Sequence, residues 1–197
     1  MDNLETLINE VRNCKICAGH LPFPPKPIFR VSPTAVLLIV GQAPGIRVHK
    51  TGIPWNDPSG DRLRKWLNLD RDLFYDVRKI AIIPTAMCYP GKGARGDLPP
   101  RPECAPLWHP QFRKYMPNLK MTLLVGSHAQ AFYLKGRLKK TMAETVKSYK
   151  EYLPEFFPLP HPSPRNMLWF KQNKWLETEV IPALREIVSD LLKNCPV

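Results

Sequence analysis

The chain has 197 residues and carries 29 Lys and Arg against 17 Asp and Glu, a formal net charge of +12. That length suffices for one substantial core, and no apolar run reaches the ~20 residues that a membrane span requires. A positive excess of this size points to a polyanionic partner, nucleic acid before membrane. The opening Met1-Asp2-Asn3-Leu4-Glu5 is acidic and polar, unlike a secretory signal, so a monomeric, cytoplasmic protein is the expectation.

In chain order, Leu4, Leu7, Ile8 and Val11 recur at helical spacing and predict a short amphipathic helix over 3–13. Residues 18–34 form a basic, Pro-rich loop; the 23 prolines cluster in such loops and stiffen them. Val36 to Val40 is a continuous apolar run that stops at Gly41-Gln42-Ala43-Pro44-Gly45. A run of this kind predicts a strand buried on both faces. Ligands of open α/β sheets bind beyond the carboxyl ends of such strands, and Gly41 and Gly45 allow close backbone approach there.

Thr51 to Gly60 is rich in turn residues and holds one large aromatic, Trp55. Ser59 is placed to cap a helix running through Leu63, Trp66 and Leu67. A second buried strand is predicted at 80–83, followed by a long Gly- and Pro-rich loop with Lys92, Arg95 and Arg101. An irregular helix over 103–115 comes next, then a strand at 121–125 running into Gly126-Ser127-His128 and a helix. A helix over 141–152, a short strand at 156–159 delivering Pro160-His161-Pro162-Ser163-Pro164, and a closing helix over 175–192 complete the chain. Strand–helix alternation predicts an α/β fold, one α/β/α domain over 1–197 in three layers around a central four-stranded parallel sheet.

Five cysteines without a signal argue against a disulfide framework. Cys14-x-x-Cys17 brings two thiolates within reach of one metal or cluster. Cys88 and Cys104, with fifteen residues between them, complete a four-thiolate set from the N-terminal segment and the 84–104 loop. Four thiolates suit zinc or an iron–sulfur cluster.

The Gly41–Gly45 loop and His161-Pro162-Ser163-Pro164, in this order and each after a strand, resemble the paired signatures of the uracil-DNA glycosylase superfamily. The cysteine spacing resembles that of its iron–sulfur, family-four class, as does Gly52-Ile53-Pro54-Trp55. With Arg64-Lys65-Trp66-Leu67, the same stretch is similar to the single-strand-selective monofunctional glycosylases. The resemblance implies DNA as partner, a structural [4Fe–4S] cluster on Cys14, Cys17, Cys88 and Cys104, and excision of a deaminated or damaged base. It departs at three positions. Gln42 stands where the iron–sulfur class usually has Glu. Ala43 replaces the Asp or Asn of other classes, as it also does in family four. Pro84 stands four before Cys88, where family four generally carries the Asn that reads the uracil edge.

On that resemblance the expected roles are these. Trp55 is the platform for an extruded base. His161 stabilises charge on the leaving base. Gln42 offers a donor and an acceptor to base or ribose, and Asp57, with Asp61 as the other nearby acid, activates water. Asn56 reads a base edge, while Gly41, Ala43, Pro44, Gly45 and Ser163 line the substrate. Arg165, Lys50 and Arg95 contact phosphate. With both acidic positions and the reading Asn replaced, a non-catalytic DNA or damaged-base binder on the same scaffold, its cluster structural or redox-sensing, is the alternative.

Overall fold

Residues 3–94 and 96–193 are described by a computed structural model. The elements in chain order are α1 (Leu4–Arg12), β1 (Leu37–Val40), α2 (Ile46–Thr51), α3 (Pro58–Leu67), α4 (Arg71–Phe74), β2 (Ile80–Ile82), β3 (Lys92–Gly93), β4 (Gly96–Asp97), α5 (Cys104–Lys114), β5 (Met121–Val125), α6 (Ser127–Leu134), α7 (Met142–Lys147), β6 (Phe156–Leu159), α8 (Met167–Gln172) and α9 (Ile181–Lys193). Four strands form the main sheet in the order β2-β1-β5-β6, all parallel, with Leu37 opposite both Ile80 and Met121. The short β3 and β4 pair separately as an antiparallel hairpin.

Every residue of β1, β2, β5 and β6 is buried, as unbroken apolar runs require. Strand alternation divides β1 between two cores. Leu37 and Ile39 pack with Leu63 and Leu67 of α3 and with Leu184 and Val188 of α9. Leu38 and Val40 pack with Leu7 and Val11 of α1 and with Trp108 and Phe112 of α5. Helices on both faces of one parallel sheet make three layers, α/β/α. The exposed edge of β2 is closed by the Pro-rich segment: Arg30 and Ile82 exchange both backbone bonds at 2.8 Å, and Ile28 N donates to Met87 O at 2.8 Å. Covering an edge in this way removes a template for strand addition. Among the described residues, no helix is long and apolar enough to cross a membrane.

Three expectations need correction. The cap of α3 is Asp57, not Ser59: its Oδ1 accepts from Gly60 N at 2.8 Å, with Pro58 in the first turn. Proline there loses no intrahelical bond, which moves the helix start two residues upstream of the predicted cap. The helix predicted over 141–152 stops at Lys147 and continues as a 3₁₀ turn, Tyr149–Tyr152. The closing helix opens with a π-turn, Leu176–Val180, before α9.

Candidate functional site

Because the sheet is parallel, all four strands deliver their following loops to one edge. There the loop 41–45 after β1, Pro84 after β2, and 161–166 after β6 enclose a cleft of about 520 Å³ together with Pro54, Trp55 and Asp57. The loops are tied to one another. Thr85 N donates to Gly41 O at 2.9 Å, Ala86 N to Gln42 O at 2.9 Å, and Thr85 Oγ1 to Gln42 O at 2.5 Å. The Gln42 carbonyl thus accepts two bonds, and Gln42 lines the cleft.

Trp55 is held from several sides. Its φ is 57°, in the left-handed region that bulky residues avoid, and two partly buried bonds hold this turn. Arg64 Nη1 donates to Trp55 O at 3.2 Å, and Tyr75 Oη donates to Pro54 O at 2.7 Å. Arg64 is itself buried, paired with Asp61 at 2.5 Å and lying over the Phe74 and Tyr75 rings. The indole rests on the backbone of Gly41: a Cβ there would stand 2.7 Å from Trp55 Cζ2. Only glycine admits an aromatic this close to the loop.

His161 lies beside that indole, ring centroids 5.6 Å apart and planes at 32°. Gly126 makes room for it, with φ +90° and a missing Cβ that would meet the His161 Cβ at 3.3 Å. Asn166 Nδ2 donates to His161 O at 2.8 Å and fixes the loop. Burial pushes the imidazole below its ordinary pKa; Asp57 opposes this and His128 adds to it. The ring is therefore neutral near pH 7, with one N–H to donate.

Two carboxylates face the cleft, Asp57 and Asp97. One oxygen of Asp57 is occupied as the α3 cap. Asp97 was not anticipated. It sits on β4, its Oδ2 3.3 Å from where a Gly45 Cβ would be, and its charge, after burial, raises the pKa of the Tyr89 hydroxyl. Its signal in the sequence is Gly93 and Gly96 flanking two residues, the spacing of a hairpin turn, with the acid immediately after. Ser59 and Asn166 also line the cleft and were likewise missed. Asp61 is turned away to Arg64.

Gly41, Ala43, Pro44, Gly45, Ser163 and Arg165 all line the cleft. Ser163 Oγ accepts from Arg165 N at 3.2 Å, and Arg62 Nη1 braces the loop through Pro162 O and Ser163 O at 3.4 and 3.3 Å. The Arg165 guanidinium packs on Gly96 of the hairpin. Asn56 stands outside the lining, its Oδ1 accepting from Arg71 Nη2 at 3.2 Å. Lys50 is exposed on α2, away from the cleft. Arg95 lies outside the described residues, as does Cys195. Pro84, at the position of the reading Asn, does line the cleft. Its carbonyl accepts from the buried His109 of α5, Nε2 at 3.0 Å, while His109 Nδ1 meets Tyr133 Oη at 2.7 Å.

A second, small cavity is lined by Cys14, Cys17, Cys88 and Cys104 with Val11, Met87, Trp108 and Arg101. The first two cysteines follow α1, Cys104 begins α5, and Cys88 ends the loop that starts at Pro84. Burial pushes the Cys88 thiol up to about 11 and Cys104 to about 12. Thiols in this environment ionise only against a compensating cation. Among the described residues, no group of three or more His, Cys, Asp and Glu is arranged to hold one metal ion.

An aromatic and an imidazole over a glycine loop stand at the carboxyl edge of a parallel sheet, the edge at which open α/β sheets bind their ligands. The Uracil DNA glycosylase superfamily matches residues 29–185, and the chain belongs to that superfamily. The match takes in every cleft-lining residue but Ile28 and two of the four cavity cysteines, Cys88 and Cys104; Cys14 and Cys17 precede it.

Proposed function

We propose that this protein is a monofunctional DNA glycosylase that draws a deaminated or damaged base into the cleft and hydrolyses its N-glycosidic bond. The observation that carries this reading is the Trp55–His161 pair over Gly41 within a superfamily cleft. The base stacks on the indole, a contact worth ~1–3 kcal/mol. As the bond between C1′ and the base nitrogen breaks, its electron pair leaves with the base. The neutral His161 N–H donates to the oxygen on which that charge collects, a stabilisation of ~3–4 kcal/mol where the bound base shields the contact from solvent. The carboxylates of Asp57 and Asp97 offset positive charge on the sugar, and water adds at C1′ with loss of its proton to solvent or base.

Pro84 offers no side-chain donor or acceptor, so reading of the base edge falls to Gln42, and the preferred base need not be uracil. We further propose that Cys14, Cys17, Cys88 and Cys104 hold a [4Fe–4S] cluster, as in the family-four class. The resemblance in cysteine spacing supports the cluster, with zinc on the same four thiolates as the alternative, since four thiolates suit either. Such a cluster would supply a structural tie between α1, α5 and the 84–88 segment, and iron and sulfide analysis of anaerobically purified protein checks it.

A second reading, a non-catalytic base reader, is favoured by Gln42, Ala43 and the capping role of Asp57. Single-turnover base release decides between them, tested on single- and double-stranded DNAs carrying uracil, hypoxanthine, xanthine or oxidised pyrimidines. Release from one or more supports the glycosylase; binding without release from any supports the reader.

A further inference from the structure

Phe23 lies in the loop Pro22-Phe23-Pro24-Pro25, where flanking prolines stiffen the chain. It is 46% exposed, yet its ring is not free. It stacks on His49 of α2, centroids 5.1 Å apart at 21°, and on Tyr89, 6.2 Å apart at 25°. His49 and Tyr89 are themselves 5.9 Å apart. Three nearly equal sides put His49 and Tyr89 on the same side of Phe23, which leaves its opposite face to solvent. The result is a rigid, backed aromatic surface that faces water.

Its surroundings say what it suits. Asp97, whose charge acts on the Tyr89 hydroxyl, lines the cleft, and so does Val48, next to His49. Lys26 Nζ donates to His49 O at 2.7 Å, and Arg47 and Lys50 are exposed on the same short helix. An exposed ring backed by His49 and Tyr89, with Lys26 bonded to the His49 carbonyl and the cleft-lining Val48 one residue away, matches the stacking and phosphate needs of a single strand.

We infer that Phe23 is a stacking platform for an unpaired nucleobase flanking the one in the cleft, so that the protein engages single-stranded DNA across two adjacent sites. This rests on the reading that the cleft acts on DNA. Aromatic–base stacking has to be available only where neighbouring bases are unpaired, so the effect is confined to single strands.

The test uses the full-length protein, with affinity measured on single-stranded and duplex oligonucleotides of one sequence at fixed salt, and with 2-aminopurine placed beside the target base. The expected result is that Phe23→Ala weakens single-strand binding about tenfold and abolishes 2-aminopurine quenching. Duplex affinity stays within twofold, and Phe23→Tyr restores both losses. Base release is scored in the same samples. If no sample releases base while Phe23→Ala still loses single-strand affinity, the activity falls and the platform stands. Unchanged single-strand binding in Phe23→Ala, an equal loss on both DNA forms, or no single-strand binding by the wild type overturns the platform.

Discussion

The two cavities are built from one stretch of chain and lined with opposite chemistry. Pro84 lines the cleft and Cys88, four residues on, lines the smaller cavity. The cleft is wide, polar and made of loops; the thiol cavity is small, apolar and made where helices α1 and α5 meet. The shape of the cleft is held by the backbone bonds from Thr85 and Ala86 to the 41–42 loop, which leaves the Gln42 and Pro84 side chains as part of its lining. His109 shows the coupling, since it reaches from α5 to the Pro84 carbonyl.

The strongest way to break this comparison is to remove the thiol cavity. Cys88→Ser is expected to cost about 3 kcal/mol, a fall in thermal midpoint of about 10 °C for a chain of this size. An unchanged midpoint with lost activity would make the thiols part of the chemistry and not of the frame.

His109 sharpens the link between the two. Burial lowers its pKa from the ordinary 6.5 to about 4, so the unfolded chain takes up the proton first. The stability this neutral histidine contributes is whole above pH ~6.5 and lost as pH falls toward 4, by up to ~3 kcal/mol. Denaturant midpoints measured across that window should slope steeply in the wild type and flatten in His109→Gln; parallel slopes would remove His109 as the buried titrating group.

Within the cleft, Trp55→Ala should weaken binding of lesion-bearing DNA by ~1–3 kcal/mol, with Trp55→Phe recovering most of it. Equal losses on undamaged DNA would make Trp55 a scaffold residue. Smallest is the cap. Asp57→Ala should cost ~1 kcal/mol, whereas Asp57→Asn keeps the cap and removes the charge. A normal melting curve with slower base release in Asp57→Asn would assign the carboxylate to the cleft; normal release would confine it to α3.

Much of the frame was legible. The four buried strands are found within a residue or two of their expected bounds, because uninterrupted apolar runs admit few other readings. The short helices α2 and α8 escaped notice, as six residues carry too little periodicity. The β3–β4 hairpin, two residues to a strand, lies in a Gly- and Pro-rich stretch that the sequence presents as loop, which hides Asp97 with it. Trp55 and His161 were legible from their loops, but the left-handed turn at Trp55 and its support from Arg64 and Tyr75 depend on side chains distant in sequence. His109 was invisible for the same reason: a polar residue in a helix gives no sign that it will be 1% exposed.

The most direct measurement compares the single-turnover rate of base release by wild type and by His161→Ala, on whichever DNA the wild type cleaves, with DNA affinity recorded in parallel. A fall of about 10²–10³ at unchanged affinity is the result predicted for a donor acting on the departing base. Equal rates would contradict it and leave the Trp55–His161 pair a binding surface alone.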